Sequence, residues 1–145
     1  MQAYLDNSAT TRPTDGVIDA MARAMREDFY NPSSLYAPAM IPEKQMNLCR
    51  DKIRKALHAV DARVIFTSGG TEADNWAIFS AAERLGKRGH HIVTTAVEHH
   101  AVLHPMQKLE AKSFEVTYLQ PDREGNITVD ALKKALRHDT ILVSV

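Results

Sequence analysis

Three short segments carry the residue types that could do chemistry. In the first, Phe66-Thr67-Ser68-Gly69-Gly70-Thr71-Glu72-Ala73-Asp74-Asn75, two adjacent glycines separate a β-branched run from a helical one. Without side chains the backbone can approach a bound group closely, and the unpaired amides and positive end of a helix attract an anion such as phosphate. Thr71 adds a hydroxyl donor. An ordinary strand-to-helix turn, with Thr71 as N-cap and Glu72 and Asp74 favouring the dipole, explains the same residues equally well. The segment matches neither a P-loop nor the dinucleotide fingerprint, because the lysine and the third glycine are missing.

The second segment, Thr94-Thr95-Ala96-Val97-Glu98-His99-His100-Ala101-Val102-Leu103-His104, again leads from a β-branched run into a helical one. His100 and His104 are four apart and could share a helix face, but the His-Glu-x-x-His order and a third ligand are both missing, so no metal site is predicted. A histidine at a strand's tip can instead offer a flat stacking surface or carry protons beside a cofactor, because imidazole titrates near neutrality. Plain surface exposure is the alternative. His90 and His91, just ahead, are expected only to face solvent. The third signal pairs Leu5-Asp6-Asn7-Ser8-Ala9-Thr10-Thr11-Arg12-Pro13 with Asn31-Pro32-Ser33-Ser34, polar turn segments that capping and Asx turns explain when taken singly.

The elements that must position these segments follow from periodicity. Residues 3–14 read as an extended arm, since Pro13 pushes Arg12 away from helical geometry. Val17, Ile18, Met21, Met25 and Phe29 recur at helical spacing and predict an amphipathic helix from Asp15 to near Asp28. A loop is expected over 30–42, then a second helix with Met46, Cys49, Ile53, Ala56 and Leu57 on its apolar stripe and Pro42 in its first turn. From Arg63 the pattern changes to short β-branched runs alternating with helical stretches, the signature of an α/β fold with a mostly parallel sheet and crossover helices. Strands are predicted at 64–67, 91–96, 114–119 and 140–145, and helices at 72–85, 101–111 and 129–136. Thr128 supplies the last helix with an N-cap and Asp130 with a first-turn carboxylate. Asp122 to Asn126 reads as a turn.

The composition narrows the function classes. The 145 residues suit one ordinary domain, and 44% hydrophobic with 25% charged residues describe a globular chain that buries a core. Eighteen basic residues cancel eighteen acidic ones, so no net field recommends nucleic acid or an anionic membrane as partner. No apolar run approaches the roughly 18 residues of a membrane span. The start carries no basic flank followed by an apolar run, and the single cysteine, Cys49, cannot pair within the chain, which together point to a cytoplasmic setting. Cys49 reads as a small buried hydrophobe on its helix stripe rather than a reactive thiol. The chain stops within Ile141-Leu142-Val143-Ser144-Val145, a run resembling a buried strand with no closing turn, so it is expected to be a piece of something longer.

In this order and separation, LDNSATT, NPSS, FTSGGTEADN and VEHHAVL resemble the successive signatures of the amino-terminal part of the cysteine desulfurases, pyridoxal-phosphate enzymes of the class V aminotransferase group. ILVSV is similar to the strand before that family's next signature. The resemblance implies the amino-terminal part of a fold-type I large domain, with residues 1–14 as an arm and 15–145 as a partial large domain. It implies that Gly70 and Thr71 bind the cofactor phosphate through amides and a hydroxyl. It implies that His99 stacks on the pyridine ring and helps move protons. Asn7, Ala9 and the Asn31 to Ser34 loop would lie near the substrate entrance or a dimer contact. In this family the cofactor withdraws electrons from bound L-cysteine, an enzyme cysteine takes the sulfur as a persulfide, and alanine is released. Sulfur passes to a scaffold protein for iron-sulfur cluster assembly, or to thiolation, from an enzyme expected to be a homodimer.

The residues also depart from the family pattern. No Ser-x-His-Lys occurs in these 145 residues, and the aspartate expected at the pyridine nitrogen and the persulfide-forming cysteine are likewise not among them. Cys49 lies in the wrong region to replace the latter. Leu35-Tyr36-Ala37-Pro38-Ala39 stands where relatives often carry His and Gly. The expectation is therefore a cysteine desulfurase portion that supplies phosphate binding and ring stacking and is inactive alone. The alternatives are a non-catalytic dimerising or interaction fragment, and a related class V aminotransferase or selenocysteine lyase.

Overall fold

A computed structural model describes residues 3–145; Met1 and Gln2, the first residues of the expected arm, lie outside them. The chain divides into two compact units, with the boundary between Ile65 and Phe66.

In the first unit, residues 3–14 carry no helix or strand and turn at 7–9. The amides of Ala9 and Thr10 donate to the Asp6 carbonyl, and the Tyr4 hydroxyl reaches the Asp6 and Thr10 carbonyls. Helix α1, Asp15–Glu27, follows an extended Thr14, with Asp15 in the first turn and Arg26 in the last, each complementing the dipole. Its apolar stripe has helical spacing, yet Val17, Ile18, Met21 and Met25 all stay exposed. Asn31 Oδ1 accepts from the Ser33 amide, the Asx turn that Asn31-Pro32-Ser33-Ser34 favours.

The loop expected up to Pro42 is shorter than that. A 3-10 turn, Ala37–Ala39, runs straight into α2, Met40–Ala56, whose third residue is Pro42, where a missing N–H has no helical acceptor to lose. Cys49 is corrected by the structure: it is exposed, because α2 buries only Pro42 and the stripe that carries Cys49 is not covered.

The second unit is a three-stranded parallel sheet of order β2–β1–β3, with β1 at His91–Thr95, β2 at Glu115–Leu119 and β3 at Thr140–Val143. Helix α3, Gly70–Leu85, precedes β1; α4, His100–Glu110, joins β1 to β2; and α5, Val129–Ala135, joins β2 to β3. This is the α/β architecture of parallel strands and crossover helices that the alternating pattern predicts. Central β1 is buried at every residue, as a β-branched run flanked by two partners requires. It pairs His91 with Glu115 and Thr140, and the β3 register slips between His91 and Ile92. Ile78 and Ala82 of α3, Ile92 of β1, and Val102, Met106 and Leu109 of α4 form the core. Thr128 caps α5 as predicted, its hydroxyl accepting from the Ala131 amide. Gly89 lets β1 start close to β3: a Cβ there would overlap the Asp139 carbonyl, which accepts from the His91 amide.

Two expectations fail here. No strand forms at 64–67: a strand exists only as a hydrogen-bonded ladder, and the sheet's ladders join only β2 to β1 and β1 to β3. His91 does not face solvent: it is fully buried, with Nδ1 and Nε2 each 2.8 Å from a threonine hydroxyl, Thr140 and Thr117. The predicted strand at 91–96 does begin with His91; solvent exposure fails because β1 is the central strand, flanked by β2 and β3 and buried at every residue. Burial lowers the His91 pKa, with the nearby Arg137 guanidinium acting in the same direction.

A pH dependence follows. The folded state binds its proton less readily than the unfolded chain, so the unfolded chain holds more protons just below its own histidine pKa of about 6.5. Stability is full above that value and falls as pH drops through it towards the lower folded value. Urea unfolding of the wild type at pH 7.5 and 5.5 should show this loss. In His91→Gln, whose amide can still bond both hydroxyls, the difference should shrink; an unchanged difference contradicts the assignment.

Candidate functional site

The glycine pair opens α3. Gly69 is its N-cap and extended, a conformation open to any residue, so backbone strain is not why glycine stands here. What glycine supplies is space: a Cβ built on Gly69 or Gly70 meets nothing within 4 Å. Thr71, expected as the N-cap of an ordinary turn, is instead the second helical residue, which leaves its hydroxyl free of capping duty. In the same turn Glu72 Oε2 accepts from the Ser68 amide and hydroxyl, both at 2.7 Å. The carboxylate reaches the residue before the N-cap, and those bonds lower the Glu72 pKa. Glu72 thus takes the amide before the glycines. Among the described residues no acceptor takes the amides of Gly70 and Thr71. Two adjacent open amides at the positive end of a 16-residue helix, with an exposed hydroxyl beside them, suit an anion.

The second part of the site follows β1. His99 is the N-cap of α4, and its Nδ1 accepts from the Ala101 amide at 3.0 Å. That bond assigns the Nδ1 lone pair to the backbone, so the neutral ring carries its proton on Nε2, and the exposed ring is held by its own helix. Just before it, the hydroxyl of buried Thr95 donates to Glu98 Oε1 at 2.8 Å, tying the 95–98 turn to the strand's end. The His100 and His104 rings lie 5.1 Å apart on α4, and His99 meets His100 edge-on at 6.2 Å. Among the described residues no group of three or more His, Cys, Asp or Glu gathers as a metal centre would require.

The structure links the two parts through a residue that sequence reasoning passed over. Asn75 of α3 donates from Nδ2 to the carbonyls of Thr71, at 2.8 Å, and Ala101, at 3.0 Å. The signal was present, since a helix-interior asparagine sacrifices helix propensity and invites the question of what its amide bonds. Gly70, Thr71 and His99 therefore all stand on first turns of helices tied by one side chain. Asn7, Ala9 and Asn31–Ser34 belong to the first unit.

The model of the class-V aminotransferases matches residues 3–145. The cysteine desulfurase IscS of Clostridium botulinum is 49% identical over 144 residues, 99% of this chain and 36% of that protein. Its namesake from Methanosarcina thermophila is 48% identical over 142 residues, 98% of this chain and 35% of its own length. Among solved structures, a NifS-like protein superposes with a TM-score of 0.90 at 38% identity, covering 99% of this chain and 39% of that one. The chain thus spans little more than a third of the length of these relatives.

Proposed function

The chain belongs to the class-V aminotransferase family, and from that membership we propose that it carries the phosphate-binding and ring-stacking part of a pyridoxal-phosphate-dependent cysteine desulfurase. The observation that carries the reading is the pair of open amides at Gly70 and Thr71, tied through Asn75 to the helix that His99 caps. The residues fit the coenzyme: the space over Gly69 and Gly70 admits a phosphate, the helix end favours its charge, and His99 presents a flat ring.

When bound, pyridoxal phosphate supplies an electron sink for the amino-acid substrate. The chain's own residues bind and orient. The Gly70 and Thr71 amides and the Thr71 hydroxyl donate to phosphate oxygens. The His99 ring stacks on the pyridine and holds a proton on Nε2, away from the Ala101 amide that fixes Nδ1. In the complete enzyme the substrate is L-cysteine, and the sulfur leaves as an enzyme persulfide for a cluster-assembly scaffold or for thiolation. This reading includes a homodimer or association with the rest of the enzyme, a cytoplasmic setting, residues 1–14 as an arm and 15–145 as a partial large domain. No helix of the described residues is long and apolar enough to cross a membrane.

The test is binding before turnover. The 145-residue polypeptide is expected to bind pyridoxal phosphate reversibly, more tightly than pyridoxal, with inorganic phosphate as competitor. With L-cysteine added it should release no sulfide above a coenzyme-only control, since it lacks Ser-x-His-Lys. Equal affinity for pyridoxal and its phosphate would remove the basis of the reading.

A further inference from the structure

Asn75 lies one helical turn beyond Thr71, and its single NH2 group spends one hydrogen on each of two helices. One acceptor is the carbonyl of Thr71, in the turn that presents the open amides. The other is the carbonyl of Ala101, the residue whose own amide is held by His99 Nδ1. The two bonds run from a half-buried carboxamide between first turns of helices that otherwise meet through apolar residues such as Ile78 and Val102. Apolar packing tolerates small slips, whereas a doubly bonded amide fixes where the two first turns stand relative to each other.

We propose that Asn75 is a positioning residue that sets the offset between the anion-binding amides of Gly70 and Thr71 and the ring of His99, so that one ligand bearing a phosphate and an aromatic ring engages both. This rests on the reading under Proposed function and adds a consequence of its own. A ligand that spans both points gains from their spacing as a bivalent ligand gains from matched sites. Inorganic phosphate needs only α3, and unphosphorylated pyridoxal needs only His99.

The experiment titrates inorganic phosphate, pyridoxal and pyridoxal phosphate into the wild-type chain, Asn75→Leu and Asn75→Gln, with a thermal melt of each. Leucine removes both donors at similar volume; glutamine keeps the amide but displaces it by one methylene. Both variants should bind pyridoxal phosphate about tenfold more weakly, while phosphate and pyridoxal change by less than about twofold. If all three ligands weaken together, Asn75 only supports the fold and the proposal is overturned. Unchanged pyridoxal phosphate affinity in both variants overturns it as well. Should leucine prevent folding, the glutamine variant carries the test. Failure of the underlying reading would show in the wild type itself, as an absence of any preference for the phosphorylated coenzyme; failure of the positioning role shows only in the variants.

Discussion

Gly70→Asp is expected to weaken pyridoxal phosphate binding by at least about tenfold while leaving the melting temperature unchanged or higher. The two effects separate because they arise from different neighbours. Gly70 is the first residue of α3, and a Cβ there meets no atom within 4 Å, so the fold accepts the side chain. A carboxylate in the first turn of a helix stabilises it by about 0.3–1 kcal/mol, and replacing glycine at a compatible position adds about 0.4–1 kcal/mol through the unfolded chain. The same carboxylate would stand beside the bound phosphate. Two unit charges about 5 Å apart repel by about 0.8–3 kcal/mol for effective dielectric constants of about 80 down to 20, and a dianion roughly doubles this. Gly70→Ala separates charge from bulk, since it should keep the stability gain and lose less affinity. Calorimetric titration with a parallel thermal melt checks both. A Gly70→Asp chain that binds the coenzyme normally would show that these amides do not hold the phosphate.

Met106→Ala should produce the largest loss of stability of any methionine truncation among the described residues, about 2–5 kcal/mol. Met106 is fully buried and lies among Ile78, Ala82, Ile92, Val102 and Leu109, where α4 meets α3 and β1. Truncation removes the transfer free energy of the lost atoms and leaves a cavity that a close-packed interior refills only in part. Because α4 carries His99 at its start, the same cavity should also loosen the seat of the ring. Met25→Ala is the matched control, since Met25 on α1 is 70% exposed and should shift stability by less than about 0.5 kcal/mol. Denaturant unfolding of the two variants beside the wild type makes the comparison. Equal midpoints would place the core elsewhere.

The pair also shows where legibility ends. Met25 and Met106 both sit in helices, Met25 on a predicted apolar stripe, yet one is exposed and the other fully enclosed. Spacing identifies the face of a helix and says nothing about whether another element arrives to cover it. Cys49 failed for the same reason, placed correctly on a helix and wrongly in a core. The expected strand at 64–67 had suitable residues, but strand identity lies in the partner and not in the run itself. The open helix start at Gly69 and Gly70 was readable because it is local, a turn whose first amides lack helical acceptors and whose glycines remove bulk.

By itself the sequence determined the helices α1 to α5 to within a few residues, the three strands β1 to β3 along with one at 64–67 that does not form, their α/β order, and the segments from which Gly70, Thr71 and His99 are offered. All of these depend on residues within about one or two turns of one another, and propensity, periodicity and capping act over that range. Only the tertiary structure decided that His91 is sealed between Thr117 and Thr140, that Asn75 joins α3 to α4, and which apolar stripes become core. The hydrogen bonds join residues 26 to 49 positions apart and the core joins three separate elements, so the chain's path in space, rather than its local pattern, sets which groups meet.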